Sequence, residues 1–165
     1  MTVLVTYASK HGSTQGIAEA IGRRLRERGL DAEVRPVREV TDLERYDTVV
    51  LGSAVYLGAW LKEAQAFLDR HEESLRRMPL WLFSSGPTAP ADGMELAVSA
   101  KLRERLEGLG ARDHHLFRGA LDRKQLGVLE RTAIKAAKSP IGDFRDWSDI
   151  EAWADSIASG IGTHA

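Results

Sequence analysis

Apolar residues along this chain fall into two registers: short runs without polar interruption, and longer stretches in which they recur every third or fourth position. The uninterrupted runs at residues 2–7 (TVLVTY), 48–53 (TVVLGS) and 80–85 (LWLFSS) predict central parallel strands covered on both faces. Residues 32–37 (AEVRPV) and 113–118 (DHHLFR) alternate polar with apolar, the pattern of half-exposed edge strands. Between them the spacing turns helical. Over 14–28, Ile17, Ala18, Ile21 and Leu25 share one face, Arg23, Arg24, Arg26 and Glu27 lie largely outside, and Gly29 ends the helix. Further helices are predicted at 60–74, 93–108 and 146–159, with a short helical turn near Asp42 to Arg45. Strands alternating with helices predict an α/β fold, a doubly wound sheet of five parallel strands with helices on both faces.

With 43% apolar residues, a chain of 165 has material for one core, and no linker, repeat or low-complexity segment divides it, so residues 1–165 are expected to form a single domain. There is no cysteine, which removes disulfides, thiolate ligands and thiol catalysis. The opening MTVLVTYAS enters a strand at once, with neither a basic leader nor an apolar stretch of spanning length. The expected location is therefore cytoplasmic, at most peripheral to the inner face of the membrane. A balance of 23 basic against 24 acidic residues, net -1, gives no reason to expect a nucleic-acid partner.

The densest chemistry lies in LVTYASKHGST, residues 4–14, where an apolar strand runs into a small-residue loop and a helix opens directly behind it. Ser9, Gly12, Ser13 and Thr14 can offer hydroxyls and backbone amides to an anion, and the helix adds its positive end. His11 either touches that anion or is solvated, and Lys10 is read as solvated. A phosphorylated cofactor is the expected occupant. No Lys follows the glycine as a nucleoside-triphosphate loop would need, and no G-x-G-x-x-G of a dinucleotide site occurs.

The segment resembles the flavodoxin signature, an aromatic followed by x-S-x-x-G-[ST]-T-x-x-x-A, matched by Tyr7, Ser9, Gly12, Ser13, Thr14 and Ala18. The resemblance implies the flavodoxin-like strand order 2-1-3-4-5 and FMN bound where that order switches direction. It also implies two more flavin loops. After the third strand, GSAVYLGAW (52–60) offers Ser53, Ala54, Val55, Tyr56 and Gly58; Tyr56 and Trp60 either stack on the ring or pack as core residues at a helix start. After the fourth, SSGPTAPADG (84–93) offers Ser84, Ser85, Gly86, Pro87 and Thr88 to the polar edges of the ring. That loop has no aromatic, which leaves one ring face open and favours a bound organic substrate over electron relay alone. Carrier flavodoxins as a family are distinctly acidic, and this chain is not.

Neighbouring His114 and His115 point to opposite faces of their strand and cannot share a metal; no metal site, catalytic triad or acid-base residue is identified. After the last strand comes a segment, 123–138, in which Lys124, Arg131, Lys135 and Lys138 fall on one side of a helix and Leu126, Leu129, Ala133 and Ala137 on another. It reads either as a solvated helix face or as a surface for weak membrane contact or for an acidic, propionate-bearing substrate. LFRGAL, a basic helix containing IK and the Asp146–Trp147 pair, with TYASKHGSTQGIA and FSS before them, resemble the menaquinone-dependent protoporphyrinogen dehydrogenase family. That resemblance implies an FMN-dependent oxidoreductase of the protoporphyrinogen oxidase kind, active in heme biosynthesis on a porphyrinogen, with a quinone as acceptor. The alternative is a flavodoxin-type carrier in electron transport that serves a redox partner protein.

Overall fold

In the computed structural model, residues 2–10, 12–56, 58–86, 99–117, 120–121, 142–143 and 145–162 are described. The chain alternates β1 (Thr2–Ala8), α1 (Ser13–Glu27), β2 (Asp31–Pro36), β3 (Thr48–Tyr56), β4 (Ala59–Trp60), α2 (Lys62–Arg76), β5 (Leu80–Ser85), α3 (Ala100–Glu107) and β6 (Asp113–Phe117). A short pair, β7 (Ala120–Leu121) with β8 (Gly142–Asp143), precedes the last helix, α4 (Trp147–Gly162). The sheet runs β2-β1-β3-β5-β6, all parallel, with β4 folded back antiparallel on β3. With β4 set aside, this is the expected 2-1-3-4-5 order.

The apolar runs are uninterrupted because each central strand is covered on both sides. Val3, Val5 and Tyr7 face α1 and α4, packing with Ile17, Ile21, Leu25, Ile150, Trp153 and Ile157. Leu4 and Ala8 face α2 and α3 in a second cluster with Phe67, Leu68, Leu75, Leu102 and Leu106. The edges β2 and β6 are only partly buried, as their alternation requires.

Three expectations are corrected. Before β3 a short helix stands at Val37–Glu39, which the apolar pattern did not mark, and near the expected position, Asp42 to Arg45, the chain makes a single turn in which Tyr46 N donates to Leu43 O at 3.1 Å; Val37, Leu43 and Tyr46 all pack into the core. β3 does not stop at 53 but runs to Tyr56, since a tight turn through Gly58 (φ 82°) lets Ala59 and Trp60 pair back on Tyr56 and Val55. Ser53, Ala54, Val55 and Tyr56 therefore stand on a strand rather than in a loop. The described part of the helix expected at 93–108 is α3, opened by Ser99, whose Oγ accepts from Leu102 N at 3.2 Å. The basic segment 123–138, His11, Pro87 and Thr88 lie outside the described residues.

Candidate functional site: the carboxyl ends of β1, β3 and β5

Register places the ends of three strands side by side: Ala8 opposite Ser53, Ser53 opposite Ser84, and Ala54 opposite Ser85. Ligands of open α/β sheets bind beyond these ends, where β1 and β3 carry their connections to opposite faces.

At the end of β1, the Oγ of Ser9 accepts from Gly12 N at 3.0 Å and closes the turn. Gly12 has φ +85°, a conformation costly for any side chain, and nothing lies within 4 Å of where a Cβ would stand. Its carbonyl accepts from Gly16 N at 3.1 Å, so α1 begins on it. Thr14, in the first turn, is 1% exposed, and its Oγ1 finds no hydrogen-bond partner among the described residues. A buried hydroxyl without a partner is costly. Here it stands at a helix start with no acidic residue in its first turn, where an anion would satisfy it.

In the other two segments two serine hydroxyls turn inward, and for Ser84 this differs from the expectation that it meets a polar edge of the ring. Ser53 is fully buried; its Oγ donates to Ala54 O at 2.8 Å and accepts from Leu61 N at 3.1 Å. Ser84 is also fully buried and accepts from the indole N–H of Trp60 at 2.9 Å. The same Ser84 hydroxyl shares a hydrogen bond with Nε2 of His114, 2.8 Å away. Burial holds His114 below its ordinary titration range, so the ring stays neutral. Both hydroxyls are thus committed to the protein, and at Ser53 and Ser84 it is the backbone that can face a flat ligand. Gly86 (φ 87°) donates to Phe117 O at 2.9 Å, and its Cβ position lies 3.9 Å from Val55 O. Ser99 N donates to Gly58 O at 2.9 Å, pinning the turn after β3 to the start of α3.

Of the two aromatics, Trp60 is 2% exposed and belongs to the core. Tyr56 stays partly exposed at the strand end, and Lys10, itself exposed, reaches across from the first loop with its ammonium 4.9 Å from the Tyr56 ring centroid. The carboxyl ends of the central strands thus bring together Ser9, Gly12, Ser13 and Thr14 with Ala54, Val55, Tyr56, Gly58, Ser85 and Gly86.

Sequence reasoning read His114 as an edge-strand residue, whereas its ring is the third member of the Trp60–Ser84 chain. Alternation alone gave the side, since His115 points the other way to Asp149 Oδ2 at 3.0 Å. The partner could not be read from it. Among the described residues no group of His, Asp or Glu is placed to hold a metal ion.

A family model described as a flavodoxin domain matches residues 4–148. The chain is 30% identical over 86 residues to protoporphyrinogen IX dehydrogenase [quinone] of Escherichia coli K12, an alignment covering 51% of this chain and 48% of that one. It is 27% identical over 90 residues to an NAD(P)H dehydrogenase (quinone) of Methylocella silvestris, covering 41% and 45%. These alignments span about half the length of the curated relatives. Among solved structures, a point mutant of the flavodoxin from Pseudomonas aeruginosa superposes with a TM-score of 0.61 at 15% identity, covering 96% of this chain and 97% of that one.

Proposed function

The chain belongs to the flavodoxin domain family, and from that premise we propose that it is an FMN-dependent dehydrogenase that oxidises a bound organic substrate, a porphyrinogen by first choice, and passes the electrons to a quinone. Membership points to FMN as the cofactor, and the residues at the end of β1 fit it: the positive-φ turn at Gly12 admits a phosphate closely, and the Thr14 hydroxyl is buried without a partner where that phosphate would lie. This orphaned hydroxyl is the observation that carries the reading.

FMN, when bound, supplies an acceptor for two electrons. The chain's part is to hold and frame it. Ser9 fixes the turn, Thr14 and the first-turn amides of α1 take the phosphate, and the backbone of 54–56, 58 and 85–86 lines the ring. Tyr56 would cover one side, and no aromatic occurs from Ser84 to Ser99 in the sequence to cover the other. That open side is where a substrate would lie. Each turnover would remove two electrons and two protons from the substrate and deliver them to the quinone as quinol. Two relatives with quinone in their names and a net charge of only -1 support an enzyme over a carrier. The second reading, an electron-transfer carrier, is supported by the likeness to a flavodoxin over nearly its whole length. Among the described residues no helix is long and apolar enough to cross a membrane.

Anaerobic mixing of the FMN-loaded protein with protoporphyrinogen tests the assignment. Loss of the flavin's blue absorbance, restored by a quinone, is the expected result. A flavin that stays oxidised with porphyrinogen but is reduced by a reductase partner would leave the carrier reading standing instead.

A further inference from the structure

Beyond the loop that the family motif describes, the structure places a guanidinium from the far end of the chain against the same turn. Arg145 lies just before α4, its Nη1 3.5 Å from the carbonyl oxygen of Ser13, and its guanidinium stacks 4.7 Å from the Trp147 ring centroid. We propose that Arg145 is a second anchor for the FMN phosphate, held in place by Trp147 and admitted by Gly16; this rests on the reading of the β1 turn as the FMN phosphate site.

Gly16 is the first support. It sits inside α1, where glycine costs about 1 kcal/mol relative to alanine. A Cβ at that position would stand 2.6 Å from Arg145 Nη1 and 3.8 Å from the Trp147 Cη2 atom, so the missing side chain makes room for this pair. Trp147 is the second. It is 42% exposed, the one exposed large hydrophobic residue among those described, and its ring is the platform on which the guanidinium rests.

Electrostatics makes the placement informative. The amino end of α1 carries the positive end of the helix dipole, with no acidic residue in its first turn. Two positive features converge there, and one residue from Ser13 stands the buried Thr14 hydroxyl without a partner. A phosphate monoester, carrying close to two negative charges at neutral pH, would be drawn to all three.

The phosphate can be isolated by comparing two flavins. FMN and riboflavin are titrated into the flavin-free full-length protein, wild type, Arg145→Gln and Gly16→Ala, over a range of salt. Loss of one charge-assisted contact is expected to weaken FMN about tenfold or more in Arg145→Gln, leave riboflavin unchanged, and flatten the dependence of FMN affinity on salt. Gly16→Ala, which keeps Arg145 but displaces it and adds helix propensity, should show the same selective loss. Equal weakening of both flavins, or of neither, overturns the proposal and makes Arg145 a strut between α1 and α4. A wild type that binds riboflavin as tightly as FMN, or binds neither, removes the phosphate-site reading itself.

Discussion

Replacing Thr14 by valine should move stability and cofactor affinity in opposite directions, a combination that a merely structural threonine cannot give. In the protein without cofactor the Thr14 hydroxyl is 1% exposed and finds no partner among the described residues, so it carries a desolvation cost of about 1–3 kcal/mol. Valine keeps the branched shape and removes the hydroxyl. A gain of about 1 kcal/mol is expected, which for a domain of this length raises Tm by roughly 2–4 °C. On the proposed reading the same hydroxyl would donate to a charged phosphate oxygen of FMN, a bond contributing about 1.5–3 kcal/mol. Its loss should weaken FMN about tenfold to a hundredfold. Flavin fluorescence quenching gives the affinity, and thermal unfolding of the flavin-free protein gives the stability. Thr6 supplies an internal control: its Oγ1 is also buried without a described partner, but it lies within β1, two residues short of the strand end. Thr6→Val should gain stability and leave FMN affinity alone. A Thr14→Val protein that is less stable when empty and binds FMN like the wild type would refute the argument, because the hydroxyl would then be paired in the protein and idle at the site.

Two more changes probe the frame behind the loops. Gly52→Ala would put a Cβ into the ring of Phe83, and since β3 is held on both sides neither can retreat. Denaturant unfolding should show a loss of about 1–3 kcal/mol or more, and a wild-type midpoint would mean that Phe83 moves freely. His114 is a pH probe: burial lowers its folded-state value below the ordinary 6.5, so folding excludes a proton that the unfolded chain takes up. The sign follows. Stability is indifferent to this group above pH 6.5 and falls as the pH drops below it, until the folded ring protonates too. Comparing the wild type with His114→Gln, only the wild type should lose stability through this group below pH 6.5; parallel profiles down to about pH 5 would show that the ring is solvated.

Most of the fold was legible because central strands, edge strands and amphipathic helices each leave a distinct apolar period. Val3 to Tyr7 and Leu80 to Phe83 could only be strands covered on both faces, and the half-exposed alternation at 32–37 and 113–118 marked the edges. The β1 turn was legible for a different reason: a glycine flanked by hydroxyl residues at a strand-to-helix junction is a local feature, and local features survive folding unchanged. What could not be read was pairing across the sheet. Trp60 serves equally, on sequence, as a ring stacker or a core residue; the decision comes from Ser84, 24 residues away, whose hydroxyl its indole reaches. The length of β3 was missed because Gly58 permits a hairpin that extends the strand past a run of small residues that reads as loop. Arg145 carries no local signal at all, being one arginine among many until Gly16 opposite it is known to lack a side chain in the way.

The dependence of α1 on α4 explains why a residue so late in the sequence bears on the opening turn. At one end of α1, Arg24 grips Asp155 through Nε to Oδ1 at 2.8 Å and Nη2 to Oδ2 at 3.1 Å, and Arg28 adds a contact to Oδ1 at 2.9 Å. These two guanidiniums hold the Asp155 carboxyl well below the usual carboxylate range. The pairs are solvent-accessible, so they contribute little to stability. Ile17, Ile21 and Leu25 packed with Ile150, Trp153, Ala154 and Ile157 hold the two helices together. An apolar contact, however, leaves a helix free to slide or rotate by small amounts, whereas a bidentate fork fixes direction. With Asp155 setting one end and Arg145 lying on the Ser13 carbonyl at the other, the axis of α1 is fixed at both ends. On the proposed reading the C-terminal helix would bear on cofactor affinity through Arg145 itself, at the amino end of α1, while the Asp155 fork holds the other end of that helix in place.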